Sequence, residues 1–149
     1  MHSRGIAAFY RDEHVQNPPI LITPEDVDEM LDTLMEGDVS ESAAQLHSLD
    51  RPTTPAGFPT HMLVIGVSKD RQVGVLSSMD GACKETNVVS VGNLELGQGP
   101  VYYSLNGEGN DFPLSSEIPV ERLREAVKEF VKFGGMRPTC VEWGDAGTW

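Results

Sequence analysis

The chain has 149 residues, with 11 basic and 23 acidic side chains and a formal net charge of -12. Such a length suits about one domain, on a prior of roughly 100–200 residues each. The charge argues against a nucleic-acid or anionic-membrane binder, because both need a basic patch. No apolar run approaches the ~20 residues that span a bilayer. The N-terminal MHSRGIAAFYRDEH lacks the apolar core of a secretory signal, so a cytoplasmic location is expected. Cys83 and Cys140 form no CxxC pair, which removes the usual zinc and redox spacings and predicts free thiols.

The acidity is uneven. Residues 1–50 carry 2 basic and 11 acidic side chains, residues 51–100 carry 4 of each, and residues 101–149 carry 5 and 8. Acidity gathered at one end projects a directional field that accelerates encounter with a basic partner.

In chain order, Pro19-Ile20-Leu21-Ile22 reads as a short strand feeding a helix. Thr23 at the N-cap, Pro24 at the first helical position and acids in the first turn all favour a helix start. Val27, Met30, Leu31, Leu34 and Met35 then recur at helical spacing until Gly37. Residues 38–59 combine Ser, Thr, Ala and prolines with weak periodicity, and read as a long loop or mobile insert. His61–Val67 and Val73–Met79 form a predicted hairpin around Ser68-Lys69-Asp70-Arg71. Asp80-Gly81 is a turn signal, and Asn87–Val91 a further short strand. Val101–Leu105 and Asp111–Leu114 flank a hairpin loop at 106–110. The second helix begins at Pro119, buries Val120, Leu123, Val127, Phe130 and Val131, and ends at Gly134-Gly135. Thr139–Trp143 is a last strand, with Val141 and Trp143 turned to the core. No internal repeat is visible. The predicted architecture is one α+β domain over 1–149, with an antiparallel sheet of about five to six strands and two main helices packed on one face.

Signatures of catalysis are missing. The sequence has no P-loop, no GxSxG, no HExxH and no GxGxxG between strand and helix. His2, His14, His47 and His61 lack ligand spacing. Arg11-Asp12-Glu13-His14 reads as a solvated turn before Pro18-Pro19. The loop at 106–111 lacks the acidic first position and distal Glu of a calcium loop. No catalytic residue, cofactor or metal is expected. The candidate binding residues are instead Glu25, Asp28, Glu29, Asp32 and Glu36 on the first helix, Glu108 and Asp111 on the hairpin, and Asp145 and Trp149 at the end. No Lys or Arg occurs between Pro24 and Asp50. The like-charged i, i+4 neighbours Asp28/Asp32 and Asp32/Glu36 should therefore each cost a few tenths of a kcal/mol.

One resemblance stands out. Thr23-Pro24-Glu25-Asp26-Val27-Asp28-Glu29-Met30-Leu31 near the front is followed by Gly99-Pro100-Val101-Tyr102-Tyr103, Asp111-Phe112-Pro113 and Ile118-Pro119-Val120. Phe130-Val131-Lys132-Phe133-Gly134-Gly135-Met136-Arg137-Pro138 and Val141-Glu142-Trp143 then close the pattern. This resembles the type-one Imm family of bacterial polymorphic-toxin immunity proteins over most of residues 9–143. The resemblance implies an α+β inhibitor encoded beside a toxin, often a nucleic-acid deaminase or a nuclease, with no cofactor. The insert at 38–59 departs from the compact pattern. Deaminases of this kind need HxE and PCxxC to hold zinc; the chain has neither, which places it on the inhibitor side. The expected partner is a cognate toxin with a basic active-site surface, bound one to one. An unrecognised small enzyme and a regulatory binding module without a toxin partner are the rival readings.

Overall fold

A computed structural model describes residues 4–37, 41–93, 100–105 and 108–145. The chain opens with β1 (Ile6–Phe9), a 3-10 turn at Asp12–Val15 and β2 (Ile20–Leu21), then helix α1 (Pro24–Glu36). Strands β3 (Ala43–Ser48), β4 (His61–Ser68), β5 (Val73–Asp80) and β6 (Asn87–Ser90) follow. A hairpin of β7 (Pro100–Leu105) and β8 (Glu108–Pro113) leads through a short 3-10 turn to β9 (Ile118–Pro119). Helix α2 (Val120–Lys132) and β10 (Trp143–Asp145) complete the order.

The main sheet is antiparallel throughout and runs β10-β6-β5-β4-β3-β1-β2, with β9 added on the far end of β5. The fold is α+β, as expected, but the sheet has eight strands. Both helices lie on one face, where Leu31, Leu34, Leu123, Val127 and Phe130 close over Ala44, Leu46, Leu63, Ile65 and Leu76. The β7–β8 hairpin forms a separate two-stranded sheet, which covers part of the opposite face. There Tyr103 and Phe112 pack against Ala43 and Val75. A Cβ on Gly66 would stand 2.6 Å from the Tyr103 ring, so the glycine is what lets the hairpin approach.

The largest correction concerns 38–59. Residues 43–48 are not loop but the strand β3, paired on both sides by β1 and β4. Its sequence, Ala-Ala-Gln-Leu-His-Ser, has poor strand propensity. Both Ala43 and Ala44 are fully buried, one under the hairpin and the other under the helices, so small side chains fit where covers press from both faces. The rest of the segment is held by its own bonds. Thr53 bridges Pro59, and Arg51 makes two 2.8 Å bonds to Asp80 while donating to the Gly135 carbonyl. Residues 38–40 lie outside the described ones.

Two further expectations shift. Of the expected 106–110 loop, residues 108–110 are already part of β8, which begins at Glu108 opposite Leu105, and residues 106 and 107 lie outside the described ones. The last strand starts at Trp143 rather than Thr139, because the backbone N–H groups of Thr139 and Cys140 donate to the Glu129 carboxylate instead, at 2.6 and 3.2 Å. Val141 is buried as expected, and Trp143 packs half-buried at the margin of the core.

Candidate functional site

The start of α1 is built as its sequence promised. The Thr23 hydroxyl accepts from the Asp26 N–H at 3.2 Å, and the Asp26 carboxylate accepts from the N–H groups of Thr23 and Ile22 at 3.0 and 2.8 Å. Those backbone bonds hold the Asp26 carboxyl below its ordinary range. The apolar stripe of α1 enters the core, which leaves its acids on the outer sides.

These acids divide into two groups. Asp28 faces α2, where Arg124 and Lys128 approach it at 2.7 and 3.1 Å. Hydrogen bonds from Arg124 and then Lys128 keep its carboxyl below the usual range. Arg124 also reaches Asp32 at 3.5 Å. The expected uncompensated repulsion between Asp28 and Asp32 is thereby corrected, because Arg124, 96 positions after Asp28 and 92 after Asp32, sits beside both. Glu25, Glu29 and Glu36 are exposed and have no ion-pair partner among the described residues.

Along the side of α1 away from α2 runs a groove of about 620 Å³ between the helix and the 10–21 segment. Asp26, Glu29, Met30 and Thr33 form one wall; Tyr10, Glu13, His14 and Asn17 form the other. Pro18, Pro19, Ile20 and Leu21 contribute the apolar part of its lining. No Lys or Arg lines it. The His14 Nδ1 accepts from the backbone N–H groups of Tyr10 and Arg11 at 3.2 and 3.1 Å. The ring therefore carries its proton on Nε2, and burial lowers its pKa against the opposing pull of Glu13. Tyr10 is 9% exposed, and its hydroxyl has no hydrogen-bond partner among the described residues. Burial raises its pKa, with Arg11 opposing and Glu29 adding to the shift.

The other candidates lie elsewhere. Glu108 and Asp111 belong to β8, on the opposite side of the sheet, where Asp111 is exposed across from Tyr102. Asp145 is exposed at the far sheet edge on β10, and Trp149 lies outside the described residues. Among the described residues, the fold does not gather these candidates into one site. It brings together Glu25, Glu29 and the Asp28/Asp32 pair, and adds Glu13, Asp26 and Tyr10, which sequence reasoning did not single out. Their signal was faint because β1 was not recognised, so nothing placed Tyr10 against the helix. On the α2 side, Ile22, Pro24, Val131 and Phe133 line an apolar depression of about 750 Å³.

Among known families, the model described as immunity protein Imm1 matches residues 16–145. The chain belongs to the Imm1 family. A search of curated proteins finds no match. In this Imm1 protein the Arg-Pro…Trp stretch that carried the resemblance has a structural task. Arg137 donates to the Ser78 hydroxyl and to the carbonyls of Glu85 and Thr86 at 2.7, 2.7 and 3.0 Å, and its guanidinium lies 5.9 Å from the centre of the Trp143 ring. The Trp143 indole N–H donates to the Pro138 carbonyl at 2.8 Å. The stretch therefore ties the 80–87 turn to the end of α2. Among the described residues, no helix of this Imm1 chain is long and apolar enough to cross a membrane.

Proposed function

We propose that this Imm1 protein neutralises a cognate toxin acting on nucleic acid, a deaminase in the first instance, by covering its basic substrate cleft in a one-to-one complex. Membership of an immunity family carries the toxin partner. The choice of a nucleic-acid target is supported by the acids without ion-pair partners at the start of α1 and along the adjacent groove, whose lining holds no Lys or Arg. A cleft that attracts phosphates is positive, and an acidic surface competes for it and is steered toward it. Glu25, Glu29 and Glu36 are the principal contacts in this reading, with Asp28 and Asp32 contributing from the rim. Glu108, Asp111, Asp145 and Trp149 are secondary candidates. The protein acts by occupancy, without catalysis or cofactor, in the cytoplasm of the cell that makes the toxin.

The test is to purify the toxin domain encoded beside this chain and follow its deamination of single-stranded and duplex DNA while the Imm1 protein is titrated in. Activity should fall to background at one equivalent. Full activity at excess Imm1 protein would overturn the reading, and inhibition of a toxin with no nucleic-acid substrate would overturn its deaminase part.

A further inference from the structure

The loop that joins β3 to β4 holds an aromatic ring out in water. Thr54 donates its N–H to the Phe58 carbonyl at 2.7 Å, and its hydroxyl accepts from the Phe58 N–H at 3.1 Å. The Gly57 N–H donates to the Thr54 carbonyl at 2.8 Å, and the Thr60 hydroxyl donates to the Pro52 carbonyl at 2.9 Å. Pro52, Pro55 and Pro59 restrict the backbone further. Arg51 fastens the base of the loop to Asp80 and to the Gly135 carbonyl. The tip is thus fixed from within, yet Phe58 stays 68% exposed. From Pro52 to Thr60 the loop carries no charged residue, in a chain of net charge -12. A neutral, apolar tip gains nothing from a basic surface of the kind that attracts the acids of α1, and it loses unfavourable hydration in an apolar recess.

The loop stands at an end of the molecule where other apolar groups face solvent. Ser48 pairs with Ile6, and Ile6 with Leu21, so the start of the loop lies at the same end of the sheet as the start of α1. The end of α2 arrives there too, with Gly135 packed against Ser48 and His61. Ile22, Phe133 and Met136 are each more than half exposed around these positions. Clustered exposed apolar residues mark a surface that a partner covers. We propose that the 51–60 loop is a docking element for the toxin, with Phe58 as an anchor that enters an apolar recess on the toxin. The inference rests on the inhibitory reading above and adds an apolar anchor to its acidic contacts. Aromatic side chains are enriched at interface cores, and a loop already held in shape loses little freedom on docking. A second copy of this chain suits the loop less well, because two molecules of net charge -12 repel each other.

The experiment measures binding of the full chain to the toxin domain encoded beside it, by surface plasmon resonance, for wild type and four variants. Phe58→Ala should weaken binding about thirtyfold, the size of a loss at an interface hot spot. The loss should appear as faster dissociation, with the melting temperature unchanged. Phe58→Leu, which keeps an apolar side chain, should recover part of it. Gly57→Ala keeps the ring and meets no atom within 4 Å, but the φ of +88° there resists a Cβ. It should weaken binding by a smaller factor, because the ring is no longer held in place. Tyr102→Ala removes a ring that is as exposed, from the hairpin on the other face of the sheet, and should leave binding unchanged. An equal loss from Tyr102→Ala would deny the loop a special role and overturn the inference. Sedimentation of the free chain should show a monomer; a dimer that Phe58→Ala dissolves would assign the loop to self-association and overturn it as well. Equal binding by wild type and Phe58→Ala sinks the loop and leaves the inhibitory reading standing, whereas a toxin that does not bind wild type sinks both.

Discussion

His61 lies on β4 with 2% of its surface exposed, and its Nε2 accepts from the Ser48 N–H at 2.7 Å. That bond places the ring proton on Nδ1, which finds no partner among the described residues. Burial, helped by the charge of Arg51 and opposed by Asp80, lowers its pKa to about 4. The folded ring thus binds a proton less readily than the unfolded one, whose pKa is ~6.5. Stability from this residue is complete above pH 6.5 and is lost as pH falls toward 4, by about 3 kcal/mol in all. Urea midpoints measured from pH 7 to 4.5 should therefore decline. His61→Gln, whose amide oxygen can still accept from Ser48, should flatten most of that decline; an unchanged slope would remove His61 as its source. His14 and His47, also lowered by burial, add to the decline, as do the carboxyls of Asp26, Asp28, Asp80 and Glu129, which hydrogen bonds hold below their ordinary range. The core was easier to read from sequence than this histidine. Leu31, Val127 and Phe130 are all buried where helical spacing put them. Phe130→Ala should cost roughly 3–5 kcal/mol in the same denaturation experiment, and a wild-type midpoint would contradict its placement. Spacing reveals which face a residue takes but not which polar atom meets it, so the Tyr10–Glu13–Glu29 grouping stayed hidden.

Elements with their own start and stop signals were legible. The cap at Thr23, the stop at Gly37, the hairpin β4–β5 and the Gly134-Gly135 ending all fall within a residue or two of expectation. Elements defined by what covers them were not. β1 and β3 are rich in alanine, and their strand character comes from the neighbours on both sides. The β7–β8 hairpin was recognised, but its role as a lid over the second sheet face was not, because nothing in its own residues points to Gly66. Arg71 pairs with Glu117 at 2.6 and 2.7 Å, and the Tyr103 hydroxyl bonds the same carboxylate, so the lid is fastened to the chain just before β9. Gly66→Ala would drive a methyl group into the Tyr103 ring. Overpacking of this kind costs ~1–3 kcal/mol, and tryptic cleavage within the hairpin should accelerate. An unaltered denaturation midpoint and cleavage rate would show that the hairpin does not seat on β4.

For the whole molecule, the charge imbalance was visible at once, while its division into paired and unpaired acids needed the fold. Two charge reversals should consequently behave differently. Glu25→Lys with Glu29→Lys should slow association with the toxin and reduce the dependence of the association rate on salt, since steering is screened over ~10 Å at 0.1 M. Stability should fall only modestly, by about 1 kcal/mol, because a cation replaces an acid in the first turn of α1 while neither residue has an ion-pair partner among the described residues. Asp28→Lys with Asp32→Lys should instead lower the unfolding midpoint by setting new cations against Arg124 and Lys128. Association rates by surface plasmon resonance at two salt concentrations, with melting curves alongside, separate the two pairs. Equal rates for wild type and the Glu25/Glu29 variant at low salt would remove the steering role.

The contact between Asp28 on α1 and Arg124 and Lys128 on α2 also has a consequence over evolutionary time. A charge lost at position 28 strands two cations within the same molecule, so its compensation must arise inside this gene. Acids that face solvent at Glu13 and Glu29 have no such internal partner, and any compensation must arise in the toxin. Among relatives, positions 28 and 124 should accordingly exchange sign together or lose charge together, whatever toxin lies next door. Positions 13 and 29 should drift with the neighbouring toxin and independently of the rest of the chain. Sequences of immunity–toxin gene pairs would show the opposite pattern if α1 meets its partner through the side that faces α2.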